Sequence, residues 1–253
     1  MSAIKAMAFA SIREATRMRA LHIVLVFSVV AIAAVRVFEA YSPGEEAKFI
    51  IDTGINLIRL FGLLSGLMLG AMLIPTEIER KTIHVILSKP VTRGQFLVGK
   101  FLGASAVVVG SALIMSAVFL AVYFHRFHAS GFNIDVVKAT LVVPFELMLF
   151  MAIVTFASTF SSQIFVIIFA VSAWILGHVN DFLGILKGSA LTTGVLHVVG
   201  AIIPHFDMFD LTRPLMMGDP VPTELVWKPI VYALGWVAVI MSFGYLVFNE
   251  REF

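Results

Sequence analysis

The side chains able to do chemistry in this chain are few, and they fall in two places. The first is residues 75–95, an island of charge between two long apolar runs, carrying Glu77, Glu79, Arg80, Lys81, Lys89 and Arg93. Charges of both signs on a short segment suit ionic docking rather than bond-making. The second is a pair of ionisable residues inside apolar runs, Arg59 and Glu146. An ionisable group placed in hydrocarbon is expensive and marks a functional candidate by default. Either the two neutralise one another as a structural ion pair, or they form a polar lining for a substrate. The sequence leaves both readings open.

Bond-making chemistry finds no support. There is no G-x-x-x-x-G-K-[ST] loop to cradle nucleotide phosphates, and Gly99-Lys100 opens a helix without the upstream glycine. No G-x-S-x-G occurs; Ser65 sits in Gly62-Leu63-Leu64-Ser65-Gly66, with the wrong spacing. H-E-x-x-H is absent, and so is cysteine, which removes thiolate chemistry and any disulfide framework. His125-x-x-His128 puts two imidazoles on one helix side, but no third ligand accompanies them, so an interfacial pair is the better reading. His178, Asn180 and Asp181 close the fifth apolar run and need no special role. No catalytic, cofactor-binding or metal residue is assigned.

The elements that must position these residues are membrane spans. The chain is 60% hydrophobic and 13% charged, with 23 Phe and a mean hydropathy of +0.99. Soluble domains lie near about 45–50% apolar and about 25% charged, so lipid is the solvent here. A net charge of +2 argues against nucleic acid as a partner. Six runs are expected to span, at about residues 20–38, 55–74, 96–124, 137–159, 163–178 and 229–248, the second with a helical lead-in from Glu45. Only Ser161-Ser162 and their neighbours separate the fourth and fifth, which predicts a tight hairpin. Lys and Arg concentrate before the first run and between the second and third, which puts both termini and the island on the cytoplasmic side. Residues 1–19 read as an interfacial helix against lipid headgroups, with Ile4, Ala8, Ile12 and Ala15 at helical spacing, rather than as a cleaved leader. Residues 179–228 are then external. The apolar run at 191–203 is too short to span and is stopped by Pro204, which predicts short re-entrant or interfacial helices. Gly62-x-x-x-Gly66-x-x-x-Gly70 offers one flat helix face for close packing, within the chain or against another subunit.

The island itself reads as a built corner. Thr76-x-x-Glu79 is a capping box after Pro75, opening an amphipathic helix over 77–87 that Pro90 ends. Thr92-x-x-Gln95 is a second capping box, opening the third run. Basic residues alone would fit a topology anchor. Glu77 and Glu79 do not, because acids are unfavourable against an anionic leaflet unless something receives them.

Glu77-x-Glu79-Arg80-x-Thr82, then Leu87-Ser88-x-Pro90-Val91-x-Arg93 and Gly99-Lys100, resembles the permease subunits of type 2 ATP-binding-cassette (ABC) exporters. Lys81 stands where that family most often has Gly. The six-span plan, Ile203-Pro204-His205-Phe206-Asp207 and the terminal Arg251-Glu252-Phe253 extend the resemblance over nearly the whole chain. It implies an all-α integral membrane fold forming one permease domain over residues 1–253, with a cytoplasmic coupling helix within 76–93. It implies a second permease copy or a paralogue, and a separate ABC ATPase that holds ATP and Mg and docks at Glu77, Glu79, Arg80, Lys81, Thr82, Leu87, Pro90 and Arg93. The setting implied is the plasma membrane of a bacterium or archaeon, with membrane lipids around the spans. Two rivals are a non-transporting membrane anchor or force transmitter for such an ATPase, and an intramembrane hydrolase, for which no Ser or Asp pair is convincingly placed.

Overall fold

The computed structural model describes residues 3–38, 44–79, 92–127, 133–178 and 203–250, and the regular structure in them is helical throughout. In order these are α1 (Ala3–Ala15), α2 (Arg19–Phe38), α3 (Glu46–Leu73), α4 (Pro75–Glu79), α5 (Arg93–Phe127), α6 (Ile134–Ser158), α7 (Gln163–His178), a 3₁₀ turn (Phe206–Phe209), α8 (Thr212–Met217) and α9 (Glu224–Glu250). Arg80, Lys81, Thr82, Leu87, Pro90, His128, the run at 191–202 and the terminal Arg251-Glu252-Phe253 lie outside the described residues.

Four helical stretches are long and apolar enough to cross a membrane: Glu46–Glu77, Arg93–Phe127, Ile134–Ser158 and Glu224–Glu250. α1 and α2 are bent by 69° against each other, and only if the pair counted as one broken span would it add a fifth. α7 has 16 residues and is apolar but shorter. At 1.5 Å per residue it reaches about 24 Å, short of a hydrocarbon core of about 30 Å.

The bundle is organised around α6. Its sequence is apolar on every side, with no polar stripe, and helices of that kind are buried all round. α3, α5, α7 and α9 pack against it. The glycine ladder of α3 decides how closely. A side chain at Gly62 would overlap Leu147, one at Gly70 would overlap Val154, and Gly66 faces Met151 and Phe150. The ladder therefore serves packing within the chain. Its register advances together on both helices, 62 with 147 and 70 with 154, so α3 and α6 run parallel.

A second close approach holds α1. Gly99 and Gly103 of α5 lie against Met7, Ala8 and Ser11, and a side chain at Gly103 would collide with the Ala8 carbonyl oxygen. Several hydroxyls inside the bundle return their hydrogens to the preceding turn, Ser65 to Phe61, Thr140 to Val136 and Thr155 to Met151. Those bonds leave fewer polar hydrogens to be satisfied in lipid.

The corner between α3 and α5 differs from the sequence expectation at its start. Pro75 does not simply end the long helix. A single residue, Ile74, breaks it, and α4 begins at Pro75 itself. Proline is at home at the first position of a helix, where its missing N–H would have had no partner. The Thr76 hydroxyl accepts from the Gln163 side chain at 3.1 Å, which ties α4 to the first residue of α7. The second capping box forms reciprocally. Gln95 N–H donates to the Thr92 hydroxyl and Thr92 N–H to the side-chain Oε1 of Gln95, each at 3.2 Å.

Candidate functional site

Arg59 and Glu146 come together in the middle of the bundle. Arg59 lies 13 residues into α3 and Glu146 lies 12 residues into α6, about 20 and 18 Å along their axes from the helix starts. The sequence places Arg59 about a turn inside its span; because α3 begins at Glu46, it sits deeper in the helix. Arg59 Nε donates to Glu146 Oε2 at 2.8 Å, and the Glu146 carboxylate is wholly buried. The other guanidinium nitrogens are also engaged. Nη1 donates to Asn56 Oδ1 at 3.1 Å, and Nη2 reaches the Phe209 carbonyl oxygen at 3.5 Å and Asp210 Oδ1 at 3.9 Å.

The far carboxylate oxygen of Glu146 faces α7. Trp174 Nε1 donates to Oε1 at 3.4 Å, and His178 Nε2 stands 3.8 Å from the same oxygen. His178 is held by its own turn, Nδ1 being 3.1 Å from the Trp174 carbonyl oxygen, and by a parallel stack on Phe206, ring centres 5.6 Å apart at 8°. One buried ion pair thus joins α3, α6, α7 and the segment carrying the 3₁₀ turn. That segment has a further tie to α9, where the Tyr232 hydroxyl accepts from His205 N–H at 2.8 Å.

A second shared cation lies at the opposite end of α3. Lys100, one turn into the apolar part of α5, is 4% exposed. Its ammonium contacts Glu77 of α4 and is 3.1 Å from Glu14 Oε2 of α1. Glu77 is mostly buried, whereas the Glu14 side chain is 63% exposed. Arg93 of the island faces elsewhere. Its Nη1 donates to the carbonyl oxygens of Phe248 at 3.2 Å and Asn249 at 2.7 Å, the last turn of α9, where a cation also meets the negative end of the helix dipole.

Of the residues singled out from sequence, the fold brings Arg59 and Glu146 together. It turns Glu77 inward to Lys100 and puts Arg93 on α9. Glu79 ends α4. Sequence reasoning attached no role to Lys100, Glu14, Asp210, Trp174 or His178. Lys100 carried the clearest signal, being a lone charge within an apolar run. Trp174 and His178 stand four apart on α7, which is the spacing of one helix face.

Several apolar helices long enough to cross a bilayer, packed on a buried central helix, define a multi-pass membrane protein. A family model described as ABC-2 family transporter protein matches residues 2–253, and the chain belongs to that family. It is the membrane permease component of an ABC transporter, a transport component that is not itself catalytic, and membership implies an ABC ATPase subunit as partner. No curated protein matches the sequence significantly.

Proposed function

We propose that this chain is the permease subunit of an ATP-driven exporter in a bacterial or archaeal plasma membrane. Six spans, α2, α3, α5, α6, α7 and α9, cross the bilayer. Both termini and residues 76–93 are cytoplasmic, and residues 179–228 are external. α1 lies along the cytoplasmic interface. Two copies, or this chain and a paralogue, form the path, and two ATPase subunits carrying ATP and Mg dock at the coupling helix within 76–93. The docking set, whether by direct contact or by positioning the corner, is Glu77, Glu79, Arg80, Lys81, Thr82, Leu87, Pro90 and Arg93. Closure of the ATPases moves that helix and rocks the spans between two access states. The driving force is the difference in docking energy between those states rather than docking strength as such.

The observation that carries this reading is where the charged island begins. α3 runs into α4 with a one-residue break, and Glu77 there meets Lys100 of α5 beside Glu14 of α1. A displacement of the island is therefore handed directly to three helices. The test is reconstitution with the cognate ABC ATPase in vesicles. The chain alone should show background ATP turnover only, and the complex should hydrolyse ATP and move substrate outward. Replacing Glu77 and Glu79 together by Ala should leave insertion intact while the ATPase is lost or uncoupled. A double variant that assembles and transports normally would defeat the docking role.

A further inference from the structure

We infer that Lys100 is the positioning residue of the docking corner, and that Glu77 acts through it rather than by touching the ATPase. This rests on the docking role proposed for residues 76–93. Glu77 is the first acid of the island, and its carboxylate points back into the protein, with only 13% of its side chain exposed. Lys100 is more deeply buried, at 5%, and belongs to the helix on the far side of the island. The pair therefore clamps the two ends from which the island is suspended, the last turn of α4 and the base of α5.

The acid that seemed in sequence to require an external receiver has an internal one. Glu14 makes the clamp three-cornered. It brings α1 to the same ammonium, over the Gly99 and Gly103 contact that already seats α1 on α5. An ammonium is a compact point charge with three rotatable donors, suited to serving two carboxylates from different helices. Lys100 is buried, so removing either member breaks a buried ion pair. In either case the first turn of the island loses its fixed position.

A charge swap tests this, because a carboxylate that contacts another protein cannot be exchanged with a lysine inside its own chain. The chain has no cysteine, so one introduced at Lys81 reports island accessibility without background. Four backgrounds are compared: Glu77→Gln, Lys100→Met, the swap Glu77→Lys with Lys100→Glu, and that swap with Glu14→Gln to remove the third charge. Each is measured for maleimide labelling rate at residue 81 in the full chain, for thermal stability in detergent, and for retention of the co-expressed cognate ATPase.

Each single variant should raise labelling about tenfold and reduce ATPase retention by a similar factor, as expected when a buried pair is broken and a segment opens locally. The swap, best with Glu14→Gln, should return both readouts to within about threefold of the native chain. If the single variants fail to fold and the swap folds, the intramolecular pair is equally supported. Unchanged labelling in Glu77→Gln overturns the proposal. So does loss of ATPase retention that the swap does not restore, since Glu77 would then face the ATPase itself. If labelling rises and the swap restores it while the ATPase stays bound throughout, Lys100 still positions the island and the docking role falls instead.

Discussion

The two shared cations of this bundle use the same charges and differ in almost everything else. At one, Arg59 spreads its donors over Glu146, Asn56 and the Phe209 carbonyl oxygen, with Asp210 close by, so that each of its three nitrogens has a partner. At the other, Lys100 offers one ammonium to two carboxylates, one mostly buried and one open to solvent. A guanidinium is planar and directional, whereas an ammonium rotates freely about its stem. The first cluster is built to keep four elements in one arrangement. The second joins α1, α4 and α5 through one ammonium at the corner where docking is proposed.

The sharpest way to break this contrast is to remove one member of the buried pair. Arg59→Ala and Glu146→Ala should each cost about 3–5 kcal/mol of stability, because each breaks the buried pair, leaving Glu146 without its cation or Arg59 with Asp210 at 3.9 Å as its nearest carboxylate. The double variant should be less harmed than the sum. Thermal unfolding in detergent reads all three, and additive effects would deny that the pair is a unit. Glu146→Gln, run beside vesicle transport, separates a structural pair from a substrate lining. An intact fold with failing transport would favour the lining.

Next in size are the glycine seats beside each cluster. Gly62→Leu should cost about 1–3 kcal/mol by overpacking α3 against α6. Gly103→Leu should loosen α1 with less effect on the bundle, because α1 packs on α5 outside the central helix. Limited proteolysis near residue 16 distinguishes them, with rapid cleavage expected only in the second. Similar global destabilisation by both would mean that α1 is part of the core.

A smaller effect is expected at Trp174→Phe, which removes the indole donor to Glu146 while keeping an aromatic ring against His178, the ring centres of Trp174 and His178 being 4.3 Å apart. That hydrogen bond is long, at 3.4 Å, and its loss should cost about 0.5–1.5 kcal/mol. The smallest belongs to Glu14→Gln. Its carboxylate is largely solvated, so the stability change should stay below about 1 kcal/mol. A larger effect at Glu14 than at Trp174 would reverse the ranking of a rigid cluster over a yielding one.

What was legible beforehand follows from the range of each signal. Apolar runs announce helices locally, so five of the six expected runs coincide closely with α2, α5, α6, α7 and α9, and the lead-in from Glu45 foretold the early start of α3. The capping box at Thr92 and Gln95 is also local, and it forms as written. Arg59 and Glu146 could be named because each is anomalous in its own run, and a structural ion pair was one of the two readings their sequence allowed. The direction of Glu77 could not be read. Whether an acid at a helix end faces outward or back depends on a lysine beyond the island, 23 positions along, and on how α4 leaves α3. Asp210 and His178 were hidden for the same reason. The segment at 203–217 brings Asp210 beside Arg59, and the packing of α7 on α6 brings His178 beside Glu146.

The order of the buried pair along the chain has a consequence for biogenesis. Arg59 precedes Glu146 by 87 residues. At about 5–20 residues per second, synthesis of the intervening chain takes roughly 4–17 s. During that interval an arginine has entered the membrane before its counter-ion exists, with only Asn56 and Asp52 of its own helix near it. A nascent chain arrested before α6 would display that charge to any surveillance system that recognises unpaired polar groups in lipid. Release from surveillance would coincide with arrival of the central helix, so the same contact that locks the finished bundle also ends the exposure of the lone arginine.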